Sequence, residues 1–123
     1  MLKLGQEKKS INVVCDQIGT PTYAKDLAKT IAQILPQLSA ENKGIYHYTN
    51  EGVCSWYDFA CEIHNLTEIK CNVNAITTDE YPTKAQRPAY SVMDKSKIKC
   101  TYGIDIPEWK ESLKDCIELL NID

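Results

Sequence analysis

INVVCDQIGTPTYAKDLAKTIAQIL, the stretch at residues 11–35, predicts a strand, a loop and a helix in immediate succession. Residues 11–15 are mostly apolar and β-branched, which is typical of a short strand. Gly19 and Pro21 mark the loop that follows the strand. From residue 23 onward, apolar side chains recur at the spacing of one helical face: Ala24, Leu27, Ala28 and Ile31. A strand followed by an amphipathic helix is the repeating unit of α/β proteins.

The alternation of strands and helices continues on both sides of this stretch. Residues 1–8 have the pattern of the end of a helix, and residues 45–49 and 71–76 are predicted strands. Between those strands, Ser55-x-x-Asp58 has the form of a capping box, which starts a helix. Two more apolar sets have helical spacing: Trp56, Phe59, Ala60 and Ile63, and, after Pro107, Trp109, Leu113, Cys116, Ile117 and Leu120. The fold class predicted from this order is α/β.

Composition and charge disfavour several classes of function. The 123 residues include 14 basic and 17 acidic ones, for a formal net charge of −3. The basic residues are scattered rather than clustered, so we expect no nucleic-acid partner. No apolar run approaches the ~20 residues that span a bilayer, and residues 1–6 lack the apolar segment of a signal peptide. We therefore expect a cytoplasmic protein with no membrane partner.

The cysteines, histidines and tryptophans of this chain, which in other proteins often bind metals or ligands, are better explained here as structural residues. None of the six cysteines forms a Cys-x-x-Cys pair, and Cys61 with His64 would supply only half of a metal site. We therefore predict no metal site, and we expect the cysteines to behave as small buried hydrophobic residues. Trp56 and Trp109 have the spacing of core residues, and His47 alternates with two tyrosines in a predicted strand, where we expect it to be half-buried.

The sequence lacks the motifs of a complete nicotinamide-dependent enzyme. Neither Gly-x-Gly-x-x-Gly nor Gly-x-x-Gly-x-x-Gly occurs, so the usual phosphate cradle for a dinucleotide is missing. A Tyr-x-x-x-Lys pair places the two side chains on one side of a helix for proton transfer. Tyr81 and Lys84 are one position too close for this, and Pro82 lies between them. We therefore predict no catalytic and no cofactor-binding residue in this chain.

Four segments carry a family resemblance. They are VVCDQIGTPTY at residues 13–23 with DLA at 26–28, GIYHYTN at 44–50 with SWYDFA at 55–60, RPAYSVMD at 87–94, and Ile106-Pro107-x-Trp109-x-x-x-Leu113. Together they span nearly the whole chain, in the order that the family has. The chain thus resembles the C-terminal, substrate-binding part of the dTDP-4-dehydrorhamnose reductases, which belong to the extended short-chain dehydrogenase/reductase group.

The resemblance implies a fragment of a two-part enzyme whose Rossmann half is absent. Residues 1–123 would form a single C-terminal domain, with residues 1–10 the remnant of a helix continuing from the missing N-terminal half. The parent enzyme would reduce dTDP-4-dehydro-L-rhamnose to dTDP-L-rhamnose with NADPH. The fragment alone is expected to bind no cofactor and to be inactive. One of its strands is expected to pair with the absent Rossmann sheet.

Five residues are predicted to contact the dTDP-sugar. Arg87, the only arginine, lies in a long connection at residues 77–91, and its planar guanidinium suits a diphosphate. A solvated surface arginine is the alternative. The other four are Gln17, Asp16, Tyr90 and Ser91, of which Tyr90 stands where the family commonly has asparagine. A purely structural alternative is that Asp16 and Thr20 cap the helix that follows.

Two other functions remain open at this stage. The regulatory subunit of methionine adenosyltransferase, which is not an enzyme by itself, resembles the same reductases, and an independent α/β binding module is also compatible with the sequence. A glycine-rich loop and a Tyr-x-x-x-Lys pair encoded upstream would favour the reductase. Loss of the Rossmann half would expose apolar surface, including Leu2 and Leu4, so we expect a symmetric homodimer through that face.

Overall fold

The computed structural model describes residues 1–120. Its helices are α1 (Leu2–Glu7), α2 (Ala24–Ile34), α3 (Trp56–Leu66), α4 (Ser96–Tyr102) and α5 (Trp109–Leu120). Its strands are β1 (Ser10–Val14), β2 (Ile18–Gly19), β3 (Cys54–Ser55) and β4 (Asn72–Ile76). A short 3-10 helix, Leu35–Gln37, follows α2. The α/β fold class is therefore confirmed, and none of the helices in this part of the chain is long and apolar enough to cross a membrane.

A parallel pair of strands forms one side of the molecule. Strand β1 pairs with β4 in the register Ser10↔Asn72 to Val14↔Ile76. Helix α3 packs on one face of this pair, where buried apolar side chains form a cluster: Ile11, Val13, Ala60 and Cys71. On the other face the Asn74 side chain donates a hydrogen bond to Asn12 at 3.0 Å. The pair therefore buries one face only, which explains the polar residues that alternate along both strands.

Helices α3 and α5 enclose a second cluster. Its buried members are Cys54, Ile63, Trp109, Leu113 and Ile117, and Leu2, Phe59 and Leu66 pack against it. The Phe59 and Trp109 rings meet edge to face with centroids 5.9 Å apart. The predicted stripe of the last helix is confirmed at Trp109, Leu113 and Ile117, whereas Leu120 is exposed. Leu2 is half-buried against this cluster, whereas Leu4 is exposed.

The strand predicted at residues 45–49 is wrong for the described chain. This segment pairs with no strand of residues 1–120. Tyr46 and Tyr48 pack against a third apolar cluster, which is formed by Ile98, Tyr102, Ile104 and Ile106. Ile45 is 80% exposed, and His47 is exposed rather than half-buried. A strand requires a hydrogen-bonding neighbour, and the described residues offer this segment none.

Helix α2 is confirmed, but its orientation differs from that of an ordinary amphipathic helix on a core. The apolar face that the spacing marked is turned outward, with Leu27 36% and Ile31 50% exposed. Its polar residues Asp26 and Thr30 are buried instead. Periodicity identified the helix correctly but not the face that meets the interior, because Asp26 takes part in a buried hydrogen-bond network. The exposed strip continues beyond the helix to Leu35 and Leu38.

Candidate functional site

A cavity of about 270 Å³ opens where three separate parts of the chain meet. Its wall consists of residues 17–21, strand β3 with the first turn of α3 (residues 54–56 and Phe59), and the residues Arg87, Pro88 and Ser91. The wall is mainly apolar, with one permanent cation. Of the described residues, those on the wall include no carboxylate and no imidazole. This arrangement suits binding rather than acid–base chemistry.

Backbone hydrogen bonds join the two loops that carry the predicted site residues. The Ile18 amide donates to the Ala89 carbonyl at 2.8 Å, and the Ser91 amide donates to the Ile18 carbonyl at 2.8 Å. Gly19 lies so close that an added Cβ would come within 2.8 Å of the Ser91 hydroxyl oxygen. Residues more than 70 positions apart are thereby held side by side, and Gln17, Arg87 and Ser91 share one wall.

Asp16 and Tyr90 lie close to the cavity but are not part of its wall. The Asp16 carboxylate accepts hydrogen bonds from the Thr78 amide, at 2.9 Å, and from the Thr78 hydroxyl, at 2.7 Å. These bonds hold the pKa of the Asp16 carboxyl below its usual value. The side-chain amide of Gln17, a residue that lines the cavity, also donates a hydrogen bond to the Thr78 hydroxyl at 3.1 Å. Tyr90 is 66% exposed.

The structural alternative for Asp16 and Thr20 is wrong. Helix α2 has Tyr23 at its N-cap and no side-chain cap. The Tyr23 amide instead donates to the Asn50 side chain at 2.8 Å. The Thr20 hydroxyl donates to the Gly52 carbonyl at 2.8 Å, which ties the loop of residues 17–21 to the segment leading into α3. Asp16 and Thr20 therefore connect loops rather than cap a helix.

Arg87 is available for a ligand. It lines the cavity, and none of the ion pairs found among residues 1–120 involves it. All five of those pairs use lysines, so the only guanidinium of the chain keeps its donors for solvent or a bound anion. This geometry is compatible with the role in diphosphate binding expected from the sequence.

Trp56 is a wall residue that the sequence reasoning missed. Its spacing predicted a core position, but it is 58% exposed, whereas Trp109 is only 3% exposed. The difference follows from its place in the helix: Trp56 is the first residue of α3, next to the loops, while Ala60 and Ile63 one and two turns later enter the core. A large aromatic directly after a capping residue was the available signal.

Asn50 holds the segment that leads to Trp56. Its side chain is fully buried, and its amide nitrogen donates to Asp26 at 2.9 Å and to Ser112 at 2.8 Å. Two residues later the chain turns at Gly52, whose φ of 85° lies in the left-handed region that favours glycine. The network thus connects α2 and α5 to the wall of the cavity.

The prediction of buried cysteines is confirmed at Cys54 and Cys71 but is wrong at Cys100, which is exposed. Burial raises the pKa of the Cys54 thiol to about 11, so this wall residue stays protonated at neutral pH. His64 is buried, with its Nδ1 3.3 Å from the Cys71 carbonyl oxygen. Residues 1–120 contain no group of three side chains placed to hold a metal ion.

Comparisons with known proteins cover almost the whole chain. A family model described as the RmlD substrate binding domain matches residues 1–122. The spore coat polysaccharide biosynthesis protein SpsK of Bacillus subtilis is 41% identical over 118 residues, which are 96% of this chain and 40% of that protein. A dTDP-4-dehydrorhamnose reductase of Aggregatibacter actinomycetemcomitans is 42% identical over 124 residues, with 94% of this chain and 42% of the relative covered.

Solved structures show the same relationship. A dTDP-4-dehydrorhamnose reductase from Clostridium acetobutylicum aligns with a TM-score of 0.91 at 44% identity, over 98% of this chain and 42% of that one. The same enzyme from Bacillus anthracis, in complex with NADP, aligns with a TM-score of 0.87 at 36% identity, over 95% and 41%. The chain spans about two fifths of the length of the relatives it matches.

Proposed function

We propose, from the premise that this chain belongs to the RmlD substrate-binding domain family, that it binds the nucleotide sugar of a dTDP-4-dehydrorhamnose reductase. The parent enzyme would reduce dTDP-4-dehydro-L-rhamnose to dTDP-L-rhamnose. Because the chain spans only about two fifths of its relatives, this reaction is proposed for the longer protein and not for the chain alone.

The observation that carries the proposal is the cavity with Arg87 on its wall. A dTDP-sugar has a dianionic diphosphate between two largely uncharged rings, so it requires a cation beside apolar surface. The cavity offers both from a single chain. Arg87 is assigned to the diphosphate, because charge-assisted hydrogen bonds from a guanidinium are strong and directional. Gln17 and Ser91 supply polar contacts on the same wall.

The two other predicted contacts have more distant roles in this proposal. Asp16 acts by holding the loop that carries Gln17, through its bonds to Thr78. Tyr90 lies next to Ser91 and is largely exposed. We assign it to parts of the sugar nucleotide that extend beyond the cavity.

The described residues do not fit a nicotinamide cofactor. Of the glycines, Gly19 faces Ser91, and Gly52 faces Glu108 and Trp109. Neither belongs to a glycine-rich turn before a helix, which is how a dinucleotide phosphate is usually held. NADPH, which would supply the hydride, is therefore assigned to the part of the parent reductase outside this chain.

Calorimetric titration tests the proposal. The chain is titrated with dTDP, and Arg87→Ala is compared with Lys84→Ala, a second cation of the same connection that does not line the cavity. A charged hydrogen bond contributes about 1.5–3 kcal/mol, so Arg87→Ala should weaken dTDP binding roughly ten- to a hundredfold. Lys84→Ala should leave the affinity unchanged. NADPH should bind tightly to none of the three proteins.

Two results would contradict the proposal. Equal affinity of the wild type and Arg87→Ala for dTDP would leave Arg87 as an ordinary surface residue. Tight binding of NADPH, or sustained oxidation of NADPH by the chain in the presence of dTDP-4-dehydro-L-rhamnose, would show that the chain carries a cofactor site of its own.

A further inference from the structure

Packing against residues 1–120 does not explain the position of Trp56. It is not a member of any of the three apolar clusters, and 58% of its surface is exposed. Exposing a tryptophan forgoes the large stabilisation that its burial would provide. The neighbouring Phe59 shows the contrast, since it lines the same cavity yet packs against the buried Trp109.

The backbone around Trp56 is held firmly. Ser55 is 3% exposed, and its hydroxyl accepts a hydrogen bond from the Asp58 amide at 3.0 Å. The Asp58 carboxylate in return accepts from the Ser55 amide at 2.9 Å, which completes the capping box. Ser55 also pairs with Ile18 across the cavity wall. The exposed ring is thus attached to one of the most constrained points of the site.

We infer that Trp56 is the stacking surface for the thymine base of the nucleotide, an assignment that rests on the proposed function. A nucleoside diphosphate has a flat, uncharged ring at one end and an anionic group at the other. The cavity has the matching pair: an exposed aromatic ring at Trp56, and the cation Arg87, which forms no ion pair within residues 1–120. Stacking on an aromatic side chain needs no hydrogen-bond readout, since every base has a π face. Trp56 thereby determines that a nucleotide, and not a bare diphosphate, is preferred.

Intrinsic fluorescence provides a readout that is specific to Trp56. The chain has two tryptophans, of which Trp109 is buried and serves as an internal reference. Titration of the chain with dTDP should quench the emission of the exposed tryptophan, whereas inorganic pyrophosphate should not. In Trp56→Phe, which leaves Trp109 as the sole tryptophan, the quenching by dTDP should disappear.

Affinities measured by calorimetry separate stacking from folding. Trp56→Leu should weaken dTDP binding by roughly five- to a hundredfold, while its affinity for pyrophosphate stays that of the wild type. Trp56→Phe, which keeps an aromatic ring, should stay within about threefold of the wild type for dTDP. Tyr81→Leu removes another exposed aromatic that does not line the cavity, and it should change neither affinity.

The possible failures are distinguishable. If Trp56→Leu binds dTDP as the wild type does while Arg87→Ala does not, the proposed function stands and the role of Trp56 is refuted. If Trp56→Leu weakens dTDP-rhamnose but not dTDP, the ring contacts the sugar and not the base, which also refutes it. If the wild-type chain binds no dTDP at all, the proposed function fails and this inference fails with it.

Discussion

Asn50 illustrates how a single buried residue organises the site. Its side chain connects the N-cap of α2, the Asp26 carboxylate and the start of α5 through Ser112. The two N–H donors and the acceptor oxygen of the Asn50 side chain all form hydrogen bonds in the interior, where a polar group without a partner costs free energy. No aliphatic residue of similar size can replace these bonds. The exposed apolar face of α2 follows from this network, because Asp26 must face inward to reach Asn50.

Replacement of Asn50 by leucine should therefore be severe. Asn50→Leu keeps the volume but leaves the Tyr23 amide without its acceptor and the Asp26 carboxylate with fewer donors. We expect a loss of about 3 kcal/mol or more in the free energy of unfolding, measured by urea denaturation. Asn74→Leu, at an exposed position of β4, is the matched control and should cost under about 0.5 kcal/mol. Similar losses in the two variants would contradict the assigned role of Asn50.

Helix α3 begins at a capping box that the sequence predicts, and its first turn lines the cavity. Its capping box was predicted from Ser55 and Asp58 and is present, with the hydroxyl of Ser55 also donating to the Asp58 carboxylate at 2.7 Å. These hydrogen bonds from Ser55 lower the pKa of Asp58 from its ordinary value of 3.8. Because the folded-state pKa is lowered, the associated stability is present above pH 3.8 and declines as the pH falls below it.

Ser55→Ala should thus destabilise the chain in a pH-dependent way. At neutral pH we expect a loss of about 1 kcal/mol in the free energy of unfolding, the usual effect of removing an N-cap hydroxyl. The difference from the wild type should narrow as the pH falls below 3.8, where Asp58 becomes protonated in both proteins. Urea titrations at several pH values measure it, with Ser39→Ala in an exposed loop as the control. A difference independent of pH would show that the carboxylate has no part in the cap.

At the scale of the whole molecule, the exposed apolar strip is the unusual feature. Leu27, Ile31, Leu35 and Leu38 lie along one side of α2 and the turn after it. We propose that in the parent reductase this strip contacts the rest of the enzyme, together with residues 45–49, which pair with no strand of residues 1–120. The face first expected to be bare, around Leu2 and Leu4, is a weaker candidate because Leu2 already packs against the core.

Self-association of the isolated chain should therefore depend on α2. We expect sedimentation velocity to show a symmetric dimer that forms with increasing concentration, since two-fold pairing lets one apolar strip cover another. Ile31→Glu should abolish the dimer, because it places a charge in the centre of the strip. Leu4→Glu is the control and should leave association unchanged. If Leu4→Glu abolished the dimer and Ile31→Glu did not, the interface would lie on α1. A wild-type chain that is monomeric at all concentrations would refute the dimer.

The sequence by itself determined strands β1 and β4 and most of the helices. The strand and helix within residues 11–35, the capping box at Ser55 and the strand at residues 71–76 all depend on local patterns, which report the period of the backbone. The resemblance in four segments also identified the family. Arg87, Gln17 and Ser91 could be proposed as site residues because they belong to those segments.

Only the tertiary structure decided which surfaces are inside and which residues meet. Periodicity marks an apolar face but not its partner, so it could not show that α2 buries Asp26 in place of Ile31. A strand pattern at residues 45–49 likewise does not supply a neighbouring strand. Gln17 and Arg87 share a wall only because hydrogen bonds between Ile18 and residues 89–91 close a loop of about seventy residues. Such contacts depend on the packing of the whole chain. For the same reason, the sequence could not predict that Trp56 is exposed.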